Sequence, residues 1–182
     1  MLELAHKLAD SDRKFFGGWV LAGVEAHIHG EATKLANHVL LTKERKSIIQ
    51  VLGTVSTPEG ERMVKELRVF LVLPKAKLGS KPAAQEEPTG ELVLEHSFTV
   101  QEVADYVAYK GDENIIHQGE HPIVPGLCMA AWLQQALQLQ ELDWRISYLR
   151  PVYTGDELMI YATEQELTAY VDGFKVFNIK LE

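Results

Sequence analysis

An acidic residue and a histidine lie five positions apart in the run Gly111-Asp112-Glu113-Asn114-Ile115-Ile116-His117. A carboxylate and an imidazole at this spacing can converge on one water molecule if the loop between them curls. Pro125 and Gly126 follow and open a long uncharged segment, where the first backbone N–H groups of a helix can hold a developing oxyanion. These groups are the ones needed to add water to, or remove it from, a carbonyl-activated double bond.

The composition predicts one compact soluble protein. The chain has 182 residues, of which 46% are hydrophobic and 24% are charged, and this is enough to bury a core. The formal net charge of -8 disfavours nucleic acid and membrane surfaces as partners, although an acidic carrier protein could dock on a local basic patch. A single cysteine, Cys128, excludes an internal disulfide framework, and the first residues lack a secretory pattern. We therefore expect a cytoplasmic protein.

The longest uncharged stretch, residues 121–140, is nearly long enough to span a bilayer. It carries four glutamines and two prolines, and the prolines confine any helix to the residues that follow them. This pattern favours a buried helix over a membrane span.

The first half of the chain has the pattern of an antiparallel sheet. Residues 2–13 have loose helical spacing and predict a short N-terminal helix. The strand-like runs that follow are residues 19–24, 35–41, 48–55 and 63–73. Residues 75–90 contain two prolines and two glycines without apolar periodicity, which predicts a linker between residues 1–74 and residues 91–182.

The second half predicts a sheet around one helix. A strand over residues 92–98 precedes a capping box, Thr99–Glu102, which starts a helix through about Tyr109. A second helix should begin at Pro125 and run to about Gln140, with apolar residues around most of its axis. The strand-like runs that close the chain are residues 144–152, 158–164 and 169–181. An antiparallel sheet wrapped around a long central helix is the hot-dog architecture, an α+β fold.

The loop after the first of these helices also resembles a family signature. The run 111–117 is similar to the Gly-Asp-x-Asn-Pro-φ-His loop of the MaoC-like, R-specific enoyl-CoA hydratases. Arg150-Pro151-Val152, followed by Gly155-Asp156, resembles the strand and turn that accompany this loop. The resemblance covers about residues 92–182, and it implies an enzyme that acts on acyl thioesters without a cofactor.

A second, partial resemblance is to the hot-dog β-hydroxyacyl-carrier-protein dehydratases. His117 and the segment Pro122-Ile123-Val124-Pro125-Gly126 keep the spacing of that family. Those enzymes carry an acid on the central helix where this chain has Ala131, so their site is incomplete here. The MaoC-like site, with Asp112 and His117, is complete. Ile115 replaces the proline of the MaoC-like signature, and the segment after His117 is shorter than in that family.

The second half also has one strand fewer than a usual hot dog in this interpretation. We expect residues 1–74 to be a degenerate first hot dog that has lost its helix, as in the double hot-dog hydratases. The alternative is an unrelated β-rich extension.

The resemblance and the chemistry together assign roles to five residues. Asp112 deprotonates or orients the water, and His117 shares the water and relays the proton. The N–H of Gly126, at the positive end of the helix that Pro125 opens, receives the carbonyl oxygen. Asn114 shapes the loop.

Other candidates for chemistry are less favoured. His27 and His29 lie two apart on a strand and could bind a metal, but no third ligand is visible. His117 and His121 with Cys128 form another conceivable ligand set, yet a cysteine within an apolar helix is usually a core residue rather than a ligand or nucleophile. We predict no metal. Trp132 is a core residue that could border an acyl tunnel.

Three function classes follow. The leading one is a hydro-lyase acting on enoyl or 3-hydroxyacyl thioesters of coenzyme A or an acyl-carrier protein. A hot-dog thioesterase commonly needs a carboxylate on or facing the central helix, and none occurs between Pro125 and Gln140. A non-catalytic acyl-thioester-binding module is the third. In each case, pairing of sheet edges favours a homodimer.

Overall fold

The computed structural model describes residues 2–9, 18–74, 84–112, 114–139 and 141–181. The helices in these ranges are α1 (Leu2–Ala9), α2 (Val100–Lys110) and α3 (Gly126–Ala136), and a short 3₁₀ turn spans Ile115–His117. The strands are β1 (Val20–Ile28), β2 (Lys34–Lys43), β3 (Lys46–Thr57), β4 (Gly60–Val72), β5 (Glu91–His96), β6 (Leu142–Tyr148), β7 (Leu158–Ala162), β8 (Glu166–Val171) and β9 (Phe174–Leu181).

These strands form one antiparallel sheet in the order β2-β3-β4-β1-β6-β9-β8-β7-β5. The four strands of the first half lie at one end of the sheet and the five strands of the second half at the other. They join where β1 pairs with β6, with Gly23 opposite Ser147 and Ile28 opposite Leu142. The predicted α+β class and antiparallel sheet are confirmed, whereas the division into units 1–74 and 91–182 stays a prediction.

The sheet and α3 share one hydrophobic core. β1 shows the period-two pattern of a half-buried strand, because Val24, Ala26 and Ile28 are buried while the residues between them are more exposed. Core residues of α3 pack in the same cluster as core residues of β6 to β9. The cluster includes Met129, Ala130 and Leu133 of the helix, and Trp144, Ile160 and Phe177 of the strands. The helix predicted to be buried is therefore the central helix.

One boundary differs from the sequence prediction, at the end of α3. α3 ends at Ala136 rather than near Gln140, because Gln138 adopts a left-handed φ of 54° that a helix cannot continue through. Gln140, residues 10–13 of the predicted N-terminal helix and residues 75–83 of the predicted linker lie outside the described residues. Within the described ranges, no helix is long and apolar enough to cross a membrane.

The prediction of a single last strand over residues 169–181 is wrong, because the chain forms two strands there, β8 and β9. Asp172 and Gly173 both have positive φ angles, of 50° and 75°, and form the tight turn between β8 and β9. An Asp-Gly pair between apolar runs is a strong hairpin signal, so the sequence did carry this information. The second half therefore supplies five strands and the central helix, and the prediction that it lacks a strand is also wrong.

Helix α1 packs against β2, β3 and α2. Leu4 and Ala5 are buried there. The ammonium of Lys65, a residue only 5% exposed, forms ion pairs with Glu3 of α1 and with Glu31. Burial by itself lowers the pKa of Lys65, but the hydrogen bonds to Glu3 and Glu31 outweigh it and the pKa is raised. The N-terminal helix is thus held on the sheet by both apolar contacts and a buried cation.

Candidate active site

The end of α2 positions Asp112. Thr99 and Glu102 form the predicted capping box at the start of the helix, and Gly111 ends it in the left-handed region with a φ of 67°. The N–H of Asp112 then donates to the carbonyl of Val107 at 3.1 Å. A helix that ends in this way turns the chain sharply, so the first side chain after it is held close to the helix end.

The loop after α2 orients the Asp112 carboxylate. Its Oδ1 accepts a hydrogen bond from the N–H of Asn114 at 3.0 Å, an Asx-type turn. The side chain of Asn114 is itself buried, and its Nδ2 donates to the carbonyl of Trp19 at 2.9 Å. With Oδ1 occupied in this way, Oδ2 faces His117, and its distance to Nε2 of the imidazole is 3.6 Å.

The imidazole of His117 has a fixed orientation and a defined tautomer. Its Nδ1 lies 2.7 Å from the carbonyl oxygen of Ile123, and a carbonyl can only accept, so Nδ1 carries the proton. In the neutral form of the ring, Nε2 is therefore a proton acceptor, and it is directed at Asp112. The N–H of Ile123 donates to the carbonyl of Ile116 at 3.0 Å, which ties both sides of the loop together.

The distance between the two acceptors suits one bridging molecule. At 3.6 Å, Oδ2 of Asp112 and Nε2 of His117 are too far apart for a direct hydrogen bond. A water molecule can lie within hydrogen-bond distance of both atoms and donate one hydrogen to each. Such a water would keep its oxygen lone pairs free for attack. The two side chains are only 21% and 8% exposed, so the site is largely shielded from bulk water.

The third part of the site is the start of α3. Pro125 precedes the helix and gives no side-chain cap, and its carbonyl accepts the N–H groups of Cys128 and Met129 at 2.9 and 3.1 Å. Helix geometry leaves the N–H groups of Gly126 and Leu127 without an intrahelical partner. They lie at the positive end of the helix dipole, where a developing negative charge is stabilised.

These groups line a common space. Asp112, His117 and Gly126 line a first cavity of about 110 Å³. A second cavity, of about 280 Å³, lies against the same imidazole and glycine and includes Arg150 but not Asp112 in its lining. The structure therefore brings together the predicted site residues Asp112, Asn114, His117, Pro125 and Gly126, all of which line the first cavity.

Gly126 cannot easily be replaced. A Cβ at this position would lie 2.7 Å from Cδ2 of Leu21 and 2.9 Å from Cζ of Tyr148, whose hydroxyl donates to the Gly126 carbonyl. We expect Gly126→Ala to lower the free energy of unfolding by about 1–3 kcal/mol, because the side chains of Leu21 and Tyr148 must both shift to admit the methyl group. Chemical denaturation measures this. Gly30→Ala is the control, since its Cβ would meet nothing closer than 3.9 Å. Equal stability of the two variants would contradict the tight packing.

Cys128 belongs to the core and not to the chemistry. It is 9% exposed, and burial raises the pKa of its thiol to about 12. We expect iodoacetamide at about pH 8 to leave the native protein unlabelled, because the thiolate is the reactive form. Mass spectrometry checks this, and the denatured protein should take up one label as a control. Full labelling of the native protein would show an accessible thiolate.

His27 and His29 share one partner that the sequence did not reveal. Nδ1 of His27 lies 2.7 Å from Oδ1 of Asp143, and Nε2 of His29 lies 3.0 Å from the same oxygen. The hydrogen bond from His27 is the main reason why the pKa of Asp143 is lowered. In the described part of the chain, no group of three or more His, Cys, Asp or Glu residues is arranged to hold a metal ion.

Sequence reasoning missed several residues of the cavity. Tyr106 and Lys110 of α2 line it beside Asp112. Burial raises the pKa of the Tyr106 phenol well above its usual value and lowers the pKa of the Lys110 ammonium. Tyr106 and Lys110 are four residues apart, which places them on one face of α2. This spacing was the signal in the sequence from which they could have been found. Trp132 lines neither cavity and instead stacks on His96, with ring centroids 4.8 Å apart.

Comparisons with known proteins identify the fold. No family model and no curated protein sequence matches the chain. Among solved structures, HtdX from Mycobacterium tuberculosis superposes with a TM-score of 0.64 at 13% identity, covering 91% of this chain and 77% of that one. A MaoC-like dehydratase gives 0.62 at 13% identity, covering 100% and 83%. An acyl-ACP thioesterase from Bacteroides thetaiotaomicron gives 0.56 at 14% identity, covering 90% and 75%.

These likenesses extend over nine tenths or more of the chain, so they include both halves of the sheet. At this level of identity they define the architecture rather than the reaction. The chain therefore has the hot-dog fold that MaoC-like dehydratases and acyl-ACP thioesterases share, as its sequence resemblance implied.

Proposed function

We propose that this protein is a hydro-lyase that adds water to enoyl thioesters and removes it from 3-hydroxyacyl thioesters. The observation that supports this most directly is the 3.6 Å gap between Oδ2 of Asp112 and Nε2 of His117, in a cavity that also contains the start of α3. Both atoms accept hydrogen bonds, as the activation of a water requires. The likeness to MaoC-like dehydratases agrees with the same chemistry.

The reaction gives each of the three groups a defined role. The thioester oxygen accepts a hydrogen bond from the N–H of Gly126, which polarises the double bond and makes C3 electrophilic. Asp112 and His117 hold the water, its oxygen bonds to C3, and one of its protons passes to Nε2 of His117. The negative charge builds on the thioester oxygen, and His117 then returns the proton to C2. Dehydration is the reverse sequence.

The substrate is proposed to be a thioester of coenzyme A or of an acyl-carrier protein. Arg150 lines the second cavity, with its guanidinium 4.9 Å from the ring centroid of Phe174, and offers a cation to a phosphate-bearing arm. We further propose a cytoplasmic homodimer that forms through a sheet edge. Val39 and Leu40 on the edge strand β2 are about half exposed, which suits pairing with another strand.

A thioesterase is the competing function, because proteins of that activity share the fold. α3 carries no carboxylate, and this argues against it. Incubation with crotonyl-CoA distinguishes the possibilities. Loss of the conjugated enoyl absorbance with the thioester intact supports the hydro-lyase, release of free thiol identifies a thioesterase, and binding without either change indicates a non-catalytic acyl-thioester-binding protein.

A further inference from the structure

The two cavities define the direction in which a thioester lies, if the proposed function holds. Trp19, Leu21, His117 and Gly126 line both cavities and mark the boundary between them. The carbonyl carbon must lie at this boundary, beside the N–H of Gly126. Asp112 lines only the first cavity of the two, and the carbon that receives water lies on the acyl side of the carbonyl. The acyl chain therefore extends into the first cavity, and the sulfur and its arm extend into the second.

Beside the candidate catalytic groups and α2, the sheet and α1 form two further walls of the first cavity. Leu21 and Ile49 come from β1 and β3, which have a hydrogen-bonded strand on each side and cannot retreat. Ala5 and Leu8 come from α1, which packs on the sheet from outside it. Ala5 is 4% exposed, and the half-buried Leu8 packs against the core. At about 110 Å³ this cavity is the smaller of the two.

The helix is held in place rather than poised to open. Leu4 has no exposed surface, and the buried Lys65 pairs with Glu3. The side chain of Asn37 donates to the carbonyl of Lys7 at 3.3 Å. A helix fixed from both ends forms a wall of constant position, so its side chains set the length of the space behind the reacting carbons.

We propose that α1 is the end wall of the acyl site and that Leu8 and Ala5 restrict the substrates to short-chain enoyl thioesters. This inference rests on the proposed function. It assigns a specificity role to a helix that carries none of the candidate catalytic groups. Where an apolar wall limits the acyl chain, each methylene that does not fit lowers the specificity constant about tenfold or more.

The test measures kcat/KM for a ladder of trans-2-enoyl-CoA substrates, from crotonyl-CoA upward in steps of two carbons. The wild-type protein should favour the shortest members. Leu8→Ala should extend the accepted length by about two carbons, with a gain in kcat/KM of about tenfold for each added methylene in the first substrate beyond the wild-type limit. Ala5→Val should shorten it. Opposite shifts from neighbouring residues cannot result from general destabilisation.

Leu35→Ala is the matched control. Leu35 is a partly buried leucine of β2 that packs against the core but lines neither cavity. This variant should keep the wild-type length profile, and thermal unfolding of all variants verifies that they are folded. Unchanged profiles for both Leu8→Ala and Ala5→Val, or a wild-type preference for long chains, would overturn the inference.

A binding series separates this inference from the proposed function. Calorimetric Kd values for saturated acyl-CoAs of the same lengths should show the same limit and the same opposite shifts. If they do so while no enoyl-CoA is hydrated, the acyl site stands and the hydro-lyase proposal fails. If the affinity does not depend on chain length, or if no acyl-CoA binds, the inference about the acyl site fails.

Discussion

Replacing His117 with alanine is expected to lower kcat for hydration of crotonyl-CoA by about 10²–10⁴-fold, the contribution of a positioned acid–base group. Nε2 is the acceptor that takes a proton from water and returns it to C2, and alanine offers no substitute. Among the described residues, the side-chain hydrogen bond that the variant loses is the one from Nδ1 to the carbonyl of Ile123. The variant should therefore remain folded by circular dichroism, with a loss of about 1 kcal/mol in stability.

His121→Ala is the appropriate control for this variant. His121 lies four positions further along the same loop and is exposed. Its removal should leave kcat unchanged. If His117→Ala kept wild-type turnover, or if both variants lost activity equally, the imidazole of His117 would not be the group that activates water.

Asp112→Asn is expected to lower kcat by about 10²–10³-fold with little change in KM. Asparagine has nearly the same shape, and its amide oxygen can still accept the N–H of Asn114, so the turn is preserved. The atom that faces His117 becomes an amide nitrogen, which donates and cannot accept a hydrogen from water. Steady-state kinetics on a folded variant measures this loss.

Asp156→Asn provides the same chemical change elsewhere. Asp156 also follows a glycine in a turn and accepts a backbone N–H, that of Tyr153 at 2.7 Å, but it lines neither cavity. Normal activity of Asp156→Asn together with the loss in Asp112→Asn would assign the effect to chemistry rather than to the turn. Wild-type kcat in Asp112→Asn would remove the carboxylate from the mechanism.

The local geometry of the site could be predicted because it is encoded locally. The capping box of Thr99 and Glu102, the left-handed Gly111 and the Asx turn of Asp112 each depend on residues at most five positions apart. Short-range hydrogen bonds of this kind leave a sequence signal. The side chains of Asp112 and His117 consequently face one another as the loop pattern indicated.

Contacts between distant segments could not be predicted from one sequence. Asp143 joins His27 and His29 across more than a hundred residues, and Tyr148 closes over Gly126 from a strand that begins after α3. Nothing in residues 2–9 indicated that α1 would line the cavity. Strand order brings such groups together, and periodicity within a segment does not encode it. The β8–β9 turn was different, because its Asp-Gly signal was present in the sequence.

The most direct test of the central claim is the position at which solvent oxygen enters the product. Crotonyl-CoA is incubated with the protein in water labelled with heavy oxygen, and the products are analysed by mass spectrometry. The hydro-lyase account predicts an intact thioester that carries one heavy oxygen on C3, and loss of this product in Asp112→Asn and His117→Ala. Heavy oxygen in a free carboxylate, with the double bond retained, would contradict it.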